Sequence, residues 1–173
     1  METTEVKDSR ALVGFPVRLG RMPAFSLTGF TRIVTSGGEQ YALVRADGRW
    51  EVLRRVGGTI YGVASSDREC PKDHYRYTLG VQAPASQFGS AVRPQDLFTL
   101  QVRQSEWLVF ELEHFGRQYG HFWGADPYAM TQKLGWAFNA RVGLHIDVYA
   151  PSYTSDDDAM EFWMPVKQPR ETR

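Results

Sequence analysis

Short runs of alternating apolar and polar residues make up most of the first half of the chain, and one stretch has a helical period. Residues 17–34 predict extended structure with a bend at Pro23, because a strand interior excludes proline. Apolar positions in 39–55 form a rough helical stripe, and Gly57-Gly58 indicates where that helix ends. Two strands are predicted next, at 59–64 and 74–81.

The second half of the chain repeats this order of elements. Asp126-Pro127 is typical of a helix start, with an N-cap and a proline in the first turn. We expect that helix to continue to about Arg141 and to end at Gly143. The predicted strands of this half are 97–102, 106–114, 145–150 and 159–166.

The predicted order of elements in each half is therefore strand, helix, strand, strand. Tyr61 and Tyr149 occupy similar places in the two halves, as do Tyr77 and Phe162, at a separation close to 85 residues. A repeat of this kind predicts an α+β fold in which tandem βαββ repeats form one antiparallel sheet with two main helices and a ligand cleft between them.

The predicted domain organisation is simple. We expect a flexible N-terminus at 1–10 and a single domain at 11–173, with halves at about 11–83 and 95–167. The loop 82–95 is rich in Pro, Ala, Ser and Gly and is the candidate junction between the halves.

Composition and charge exclude several functional classes. The 20 basic and 20 acidic residues balance, which disfavours direct nucleic-acid binding. The single cysteine, Cys70, forms no internal disulfide, and no signal peptide or membrane span is evident, so we expect a cytoplasmic protein. One Cys and four scattered His give no metal motif, and no phosphate-binding glycine loop is present, so we expect no metal and no cofactor.

Aromatic side chains share strand faces with carboxylates. Trp107 has the same parity as Glu111, and Glu161 has the same parity as Trp163, whereas the opposite face of each strand is wholly apolar. A carboxylate removed from water needs a partner, and a ligand cation between aromatic rings is one candidate. The alternative is that Glu161 is exposed or pairs with an arginine.

The stretch 116–124 is rich in glycine and aromatic residues. Tyr119, Phe122 and Trp123 are candidates for a lid over a pocket, and packing against the second helix is an equal alternative.

Several segments together resemble the GyrI-like, or AraC-type effector-binding, domains. Glu161-Phe-Trp-Met-Pro-Val-Lys167 is similar to the closing motif of that family. His145-Ile-Asp-Val-Tyr149 resembles the preceding strand, where an acidic residue and a Tyr recur. Glu106-Trp-Leu-Val-Phe-Glu111 resembles the start of the second repeat, and 59–63 with 75–81 resembles the strand pair of the first. The resemblance covers roughly 16–167.

This resemblance implies a tandem βαββ fold, with modules of the SHS2 type, that takes lipophilic cations or flat aromatic molecules in a cleft between the helices. By resemblance, Glu161 is the counter-ion, and we expect it to be largely buried. The candidate ligand-binding residues are Tyr61, Trp107, Glu111, Trp123, Tyr149, Glu161 and Trp163.

The family resemblance leaves several roles open. A stand-alone drug- or effector-binding protein related to transcription regulation is the first, as a monomer or homodimer whose partner is a small aromatic or cationic ligand. A hydrolase of electrophilic cyclopropanoid genotoxins is the second, with Glu161, Tyr149 and Glu111 as candidate catalytic residues. The third is a modulator of a protein partner, similar to the gyrase-modulating members. Turnover of a trial electrophile would separate the enzyme from the binding protein.

Overall fold

One antiparallel sheet runs through the computed structural model, which describes residues 1–66, 68–143 and 145–169. The strands in this part of the chain are β1 Thr3–Glu5, β2 Val17–Met22, β3 Phe25–Val34, β4 Ile60–Ser65, β5 Tyr75–Val81, β6 Phe98–Val102, β7 Ser105–Leu112, β8 Ala137–Phe138, β9 His145–Tyr149 and β10 Met160–Lys167. The helices are α1 Ser9–Val13, α2 Gly37–Ala46, α3 Arg49–Gly57, α4 Phe115–Gly124 and α5 Pro127–Lys133. Short 3₁₀ segments at Ala85–Ala91 and Pro94–Asp96 lie in the junction loop.

The strand order confirms the tandem repeat. The sheet runs β1-β2-β7-β10-β9-β4-β5-β3-β6, and β8 pairs with β10. One half contributes β3, β4 and β5 and the other contributes β7, β9 and β10, so the two sets mirror each other about the central pair of β4 and β9. Gly62 lies opposite Asp147 in that pair, close to the pseudo-twofold axis.

The first predicted helix is two helices. Gly48, at φ 84°, separates α2 from α3, because the left-handed conformation that glycine allows breaks the helical path. A capping box begins α2: the Ser36 hydroxyl accepts from the Gly38 amide, and the Glu39 carboxylate accepts from the Ser36 amide.

One expectation for the second half is wrong. The helix that begins after Asp126 ends at Lys133 rather than at about Arg141, since Gly135 takes φ 82° and β8 then pairs with β10. The predicted start is observed, because the Asp126 carboxylate caps the amides of Tyr128 and Ala129. The aromatic stretch before it forms the helix α4, which the sequence pattern did not predict.

The N-terminal residues contribute the edge strand of the sheet, because Thr3–Glu5 pairs with β2. The flexibility expected for 1–10 and the domain boundaries remain predictions, and the last residues of the proposed domain, 170–173, lie outside the described part of the chain.

The sheet curls strongly on the side away from the helices. Only Pro23 and Ala24 connect β2 to β3, although five other strands lie between them in the sheet. The three Cα–Cα steps from Met22 to Phe25 span at most about 11 Å, whereas six strand spacings in a flat sheet span roughly 29 Å. We call the side covered by helices the helix face and the opposite side the rolled face.

Each face buries its own core. On the helix face, Phe110, Phe122 and Phe162 are completely buried against one another. On the rolled face, Trp107 and Val109 are completely buried together with Leu27, which comes from the other half of the sheet. The curl therefore allows the rolled face to exclude water without a helix over it.

Candidate functional site

A cleft of about 480 Å³ opens on the helix face. Its walls come from the start of α2, from α4 and α5, and from strands β4, β5 and β9. The side chains and backbone around it include those of Ser36, Gly37, Ser65, Tyr75, Tyr77, Tyr119, Trp123, Tyr128 and His145. This is a polar and aromatic cleft between the start of α2 in the first half and α4 and α5 in the second, and the predicted fold also has a cleft between the helices of the two halves.

The Asp147 carboxyl group lies beneath this cleft and is 1% exposed. Its Oδ2 atom accepts a hydrogen bond from the Tyr77 hydroxyl at 2.6 Å and a longer one from the Tyr119 hydroxyl at 3.3 Å. Within the described residues, the Oδ1 atom has no hydrogen-bond partner, and no cationic side chain pairs with Asp147. Two phenols therefore cap a buried acid that has no counter-charge.

The approach of Tyr77 to Asp147 depends on a glycine. Gly62 lies between the two residues, and a Cβ atom at that position would meet the Tyr77 hydroxyl oxygen at 2.1 Å and the Asp147 Cβ at 3.4 Å. Gly37, at the start of α2, packs on the Tyr77 ring in the same way, with a Cβ contact of 3.0 Å. The absence of side chains at these two positions makes room for the phenol.

Burial sets the protonation of this cluster. Desolvation raises the pKa of Asp147 to about 7, while the hydrogen bonds from Tyr77 and Tyr119 lower that pKa by a smaller amount. Desolvation, and then the nearby Asp147 charge, raise the pKa values of both tyrosines well above the usual range. Desolvation lowers the pKa of His145 to about 4. Near neutral pH both phenols are therefore protonated donors, His145 is uncharged, and Asp147 populates both forms.

Aromatic contacts fix the walls of the cleft. Trp123 packs on His145 with 5.2 Å between ring centroids, and it also meets Phe162 edge to face. The Tyr75 hydroxyl accepts a hydrogen bond of 2.6 Å from the Gly37 amide, which ties the start of α2 to β5. The cleft thus has packed aromatic rings on its α4 side and a hydrogen bond that holds the start of α2 against β5.

The predicted site residues do not form one cluster. In the central pair, Tyr149 lies opposite Ile60 and Tyr61 lies opposite Val148, so the two tyrosines project from opposite faces of the sheet. Of the predicted ligand-binding residues, Trp123 and Tyr149 lie on the helix face. The remaining ones lie on the rolled face: Tyr61, Trp107, Glu111, Glu161 and Trp163.

The two predicted residues on the helix face also differ in position. Trp123 lines the cleft. Tyr149 is buried beside it in a separate aromatic group, stacked on Tyr41 at 5.6 Å and packed edge to face on Trp50. The predicted shared lining of Tyr149 with Tyr61, Trp107 and Trp163 is therefore wrong.

The expectation that Glu161 is largely buried is also wrong. Its side chain is 33% exposed and pairs with the Arg18 guanidinium, which also binds Glu111 at 2.6 Å. The Trp163 indole N–H donates to Glu161 at 2.8 Å. The alternative that Glu161 pairs with an arginine is the observed one, and Trp107 is fully buried beneath the surface.

Sequence reasoning missed the acid beneath the cleft. Asp147, Tyr75 and Tyr77 were not among the candidate site residues, and Tyr119 was a candidate only for a lid. The signal was present in the segment His145-Ile-Asp-Val-Tyr149, where an acidic residue alternates with His145 and Tyr149 on one strand face. The register between β4 and β9 is needed to place that face under the helices.

The described residues contain no group of three or more His, Cys, Asp or Glu side chains that could hold a metal ion. None of the helices in the described ranges is long and apolar enough to cross a membrane.

Comparison with known proteins identifies the fold. No protein-family model and no curated protein sequence matches the chain. The structure of SAV2435 bound to tetraphenylphosphonium is similar, with a TM-score of 0.67 and 14% identity over 96% of this chain and 94% of that chain. A putative bacterial transcription regulation protein from Staphylococcus aureus MU50 has a TM-score of 0.58 and 17% identity over 89% of this chain and 99% of that chain.

The C-terminal domain of EcmrR is a third similar structure, with a TM-score of 0.59 and 10% identity over 90% of this chain and 99% of that chain. The similarity extends over both βαββ halves and the central pair of β4 and β9. The order of motifs in the sequence and these structures agree, and the chain has the GyrI-like, effector-binding fold.

Proposed function

We propose that this protein binds a small, flat, amphipathic organic cation in the cleft on the helix face, with Asp147 as the buried counter-charge. The observation that carries the proposal is the state of Asp147. Its carboxyl group is removed from water, only phenol hydroxyls cap it, and one of its oxygens has no hydrogen-bond partner among the described residues.

The physical reason is the cost of an isolated buried charge. An ionised carboxylate in an apolar environment costs several kcal/mol unless an opposite charge compensates it. A ligand cation at roughly 6 Å would supply about 3 kcal/mol of attraction at an effective dielectric constant near 20. That attraction acts only on the ionised form of Asp147, so the site should favour cations over neutral molecules of the same shape.

The aromatic walls suit the apolar part of such a ligand. Tyr75, Tyr119 and Trp123 are among the aromatic residues that line the cleft. A cation over a ring gains roughly 0.5–2 kcal/mol, and flat apolar groups gain a similar amount by stacking. The similar protein SAV2435 is bound to tetraphenylphosphonium, a lipophilic cation that carries four flat aromatic rings on a tetrahedral phosphorus atom.

Titration calorimetry with tetraphenylphosphonium tests the proposal. We expect saturable binding to the wild type and at least roughly tenfold weaker binding to Asp147→Asn, because the amide keeps the shape and loses the charge. Asp96→Asn is the matched control, since Asp96 pairs with Arg93 in the junction loop, away from the cleft. Equal affinity of wild type and Asp147→Asn would contradict the counter-charge role.

A hydrolase is the second candidate, and one observation favours it. The Asp147 carboxyl group, with its pKa raised to about 7, is 2.6 Å from the Tyr77 hydroxyl, and such a pair can exchange a proton with a bound substrate. The catalytic candidates Glu161 and Glu111 lie on the rolled face, whereas Tyr149 is on the helix face. The catalytic roles would therefore pass to Asp147 and Tyr77.

A trial cyclopropanoid electrophile separates the two functions. A binding protein leaves the electrophile unchanged over many equivalents. A hydrolase consumes it, and both Asp147→Asn and Tyr77→Phe stop the turnover while the electrophile still binds.

A further inference from the structure

The loop that joins β9 to β10, residues 150–159, is held by the helices of the first half. Arg45 on α2 donates to the Thr154 carbonyl at 3.1 Å, and Arg54 on α3 donates to the Pro151 carbonyl at 3.2 Å. We call this loop the brace. It is fastened to the two helices of the first half at separate points along its length.

The brace also binds the start of α4, in the second half. The amides of Phe115 and Gly116 donate to the carbonyls of Asp158 and Asp156, at 3.1 Å and 2.7 Å respectively. Both amides belong to the first turn of the helix, where backbone N–H groups have no partner within the helix itself. The brace therefore caps α4 and connects the helices of the two halves.

Asp156 binds the helices of both halves at once. Its backbone carbonyl accepts from α4, and its Oδ1 atom accepts from the Tyr41 hydroxyl of α2 at 2.7 Å. The Tyr153 hydroxyl, within the brace, donates to the same Oδ1 atom at 2.8 Å. Burial raises the pKa of Tyr41 to about 12, so its hydroxyl remains a protonated donor near neutral pH. Asp156 thus links α2, through its side chain, to α4, through its backbone.

Hydrogen bonds within the brace hold its shape. The Asp158 Oδ2 atom accepts from the Thr154 amide at 2.7 Å, from the Thr154 hydroxyl at 2.8 Å and from the Ser155 amide at 2.9 Å. Tyr153 is 1% exposed, and its ring packs edge to face on Tyr149 at 4.9 Å. A turn that is closed in this way transmits the position of one helix to the other, because it has little freedom to absorb a displacement.

The two linked helices form opposite walls of the cleft on the helix face. Tyr41 follows the cleft residue Gly37 by about one helical turn, and Gly116 precedes the cleft residue Tyr119 by about one turn. Beside these points, the Tyr41 ring packs on the Phe115 ring at 5.7 Å. A movement of α2 relative to α4 would therefore change the width of the cleft.

We propose that Asp156 is a positioning residue that fixes the width of this cleft and thereby determines which size of cation the cleft prefers. The inference rests on the proposed function, since it concerns the same cleft. Walls that are in place before binding favour a small cation, because it touches both walls without first having to order them. A large cation reaches both walls even when they are free to separate. The link through Asp156 therefore favours small cations relative to large ones.

Asp156→Ala removes the link to α2 and keeps the backbone bond to α4. The readout is the ratio of two affinities measured by calorimetry, for tetraphenylphosphonium as the large cation and benzyltrimethylammonium as the small one. We expect Asp156→Ala to shift this ratio by roughly threefold to tenfold toward tetraphenylphosphonium. A general loss of stability would weaken both affinities alike and leave the ratio unchanged.

Two further variants separate the link from the charge. Asp156→Asn retains an acceptor oxygen for the Tyr41 hydroxyl and should keep the affinity ratio of the wild type. Asp157→Ala is the matched control, because it removes an acid from the same turn. The Asp157 side chain is exposed and pairs with Arg117, so this variant should also keep the wild-type ratio.

Spin labels measure the spacing of the two walls without any ligand. They are attached at Leu43→Cys on α2 and Gly120→Cys on α4, both exposed positions, in a Cys70→Ser background. The distance distribution from pulsed electron spin resonance should broaden in Asp156→Ala and stay as in the wild type in Asp157→Ala.

The outcomes separate this inference from the proposed function. If the wild type binds both cations and Asp156→Ala leaves either the affinity ratio or the distance distribution unchanged, the positioning role is overturned and the proposed function stands. If the wild type binds neither cation, the proposed function is overturned, and the size preference assigned to Asp156 is overturned with it.

Discussion

Gly62 lies directly opposite Asp147 in the central pair of strands, and the Tyr77 hydroxyl occupies the space that a side chain at Gly62 would need. The hydrogen bond of 2.6 Å between Tyr77 and Asp147 therefore depends on a residue that takes no part in it. The pseudo-twofold axis passes close to this contact, so the junction of the two halves coincides with the candidate site.

Gly62→Ala should destabilise the protein by roughly 1–3 kcal/mol, because the new methyl group would displace the Tyr77 hydroxyl and leave Asp147 with only its longer hydrogen bond. Urea unfolding measures the change. Gly120→Ala is the control: Gly120 is exposed in α4, a Cβ atom there would have no neighbour within 4 Å, and alanine should stabilise by up to about 1 kcal/mol. Equal effects at the two glycines would contradict the packing argument.

Much of the fold could be predicted from the sequence, because strand parity and the repeated order of elements are local signals. The apolar faces of β7 and β10 are evident from alternation alone, and both are buried under the helices. Helix lengths were less predictable. A single glycine with positive φ, at Gly48 and again at Gly135, ends a helix whose apolar pattern continues beyond it.

The site was harder to predict than the fold for a physical reason. Alternation shows which residues of one strand share a face, but the register between strands decides which faces coincide. Tyr61 and Tyr149 both have the pattern of cleft residues, and the register of β4 with β9 separates them by the thickness of the sheet. In the sequence, Asp147 lies among other candidate residues of its strand. Only its burial in the folded protein identifies it as the acid of the site.

Asp147 and His145 should oppose each other in the pH dependence of stability. The folded pKa of Asp147 is raised to about 7, so the unfolded chain releases that proton first and stability falls as pH rises from about 4 to 7. The folded pKa of His145 is lowered to about 4, so the unfolded chain binds a proton first and stability falls as pH decreases from about 6.5 to 4. Between about pH 4 and 6.5 the two slopes have opposite signs.

Single variants should reveal the two slopes. In Asp147→Asn, only the histidine contribution remains, and the free energy of unfolding should rise with pH below about 6.5 by up to ~1.4 kcal/mol per pH unit more than in the wild type. In His145→Gln, the free energy of unfolding should fall as pH rises toward 7, by a similar amount per pH unit relative to the wild type. Urea unfolding at several pH values measures both. Parallel curves for the wild type and both variants would show that neither group titrates with folding.

The ion-pair group at the rolled face should show energetic coupling. Arg18→Met leaves Glu111 and Glu161 in directly opposite positions without their shared cation, and it should cost about 1 kcal/mol, since all three side chains are partly exposed. Adding Glu111→Gln to Arg18→Met should recover part of that loss, because the repulsion is then removed. Denaturant unfolding of the four proteins in this cycle measures the coupling, and strictly additive effects would argue against the shared bridge.

Tetraphenylphosphonium binding should strengthen as pH rises through 7. The ligand has a fixed charge, so any pH dependence comes from the protein, and only the ionised form of Asp147 attracts it. With its pKa near 7, the Asp147 carboxyl group is mostly protonated at about pH 6 and mostly ionised at about pH 8. Binding at about pH 6 must therefore displace a proton, which predicts roughly tenfold weaker affinity at about pH 6 than at about pH 8. Calorimetry in buffers of matched ionic strength measures this ratio.

Asp147→Asn should remove the pH dependence, while His145→Gln should keep it, because His145 stays uncharged over this range. A ratio near one in the wild type, or the same tenfold change in Asp147→Asn, would show that another group controls binding and that the buried carboxylate is not the counter-charge.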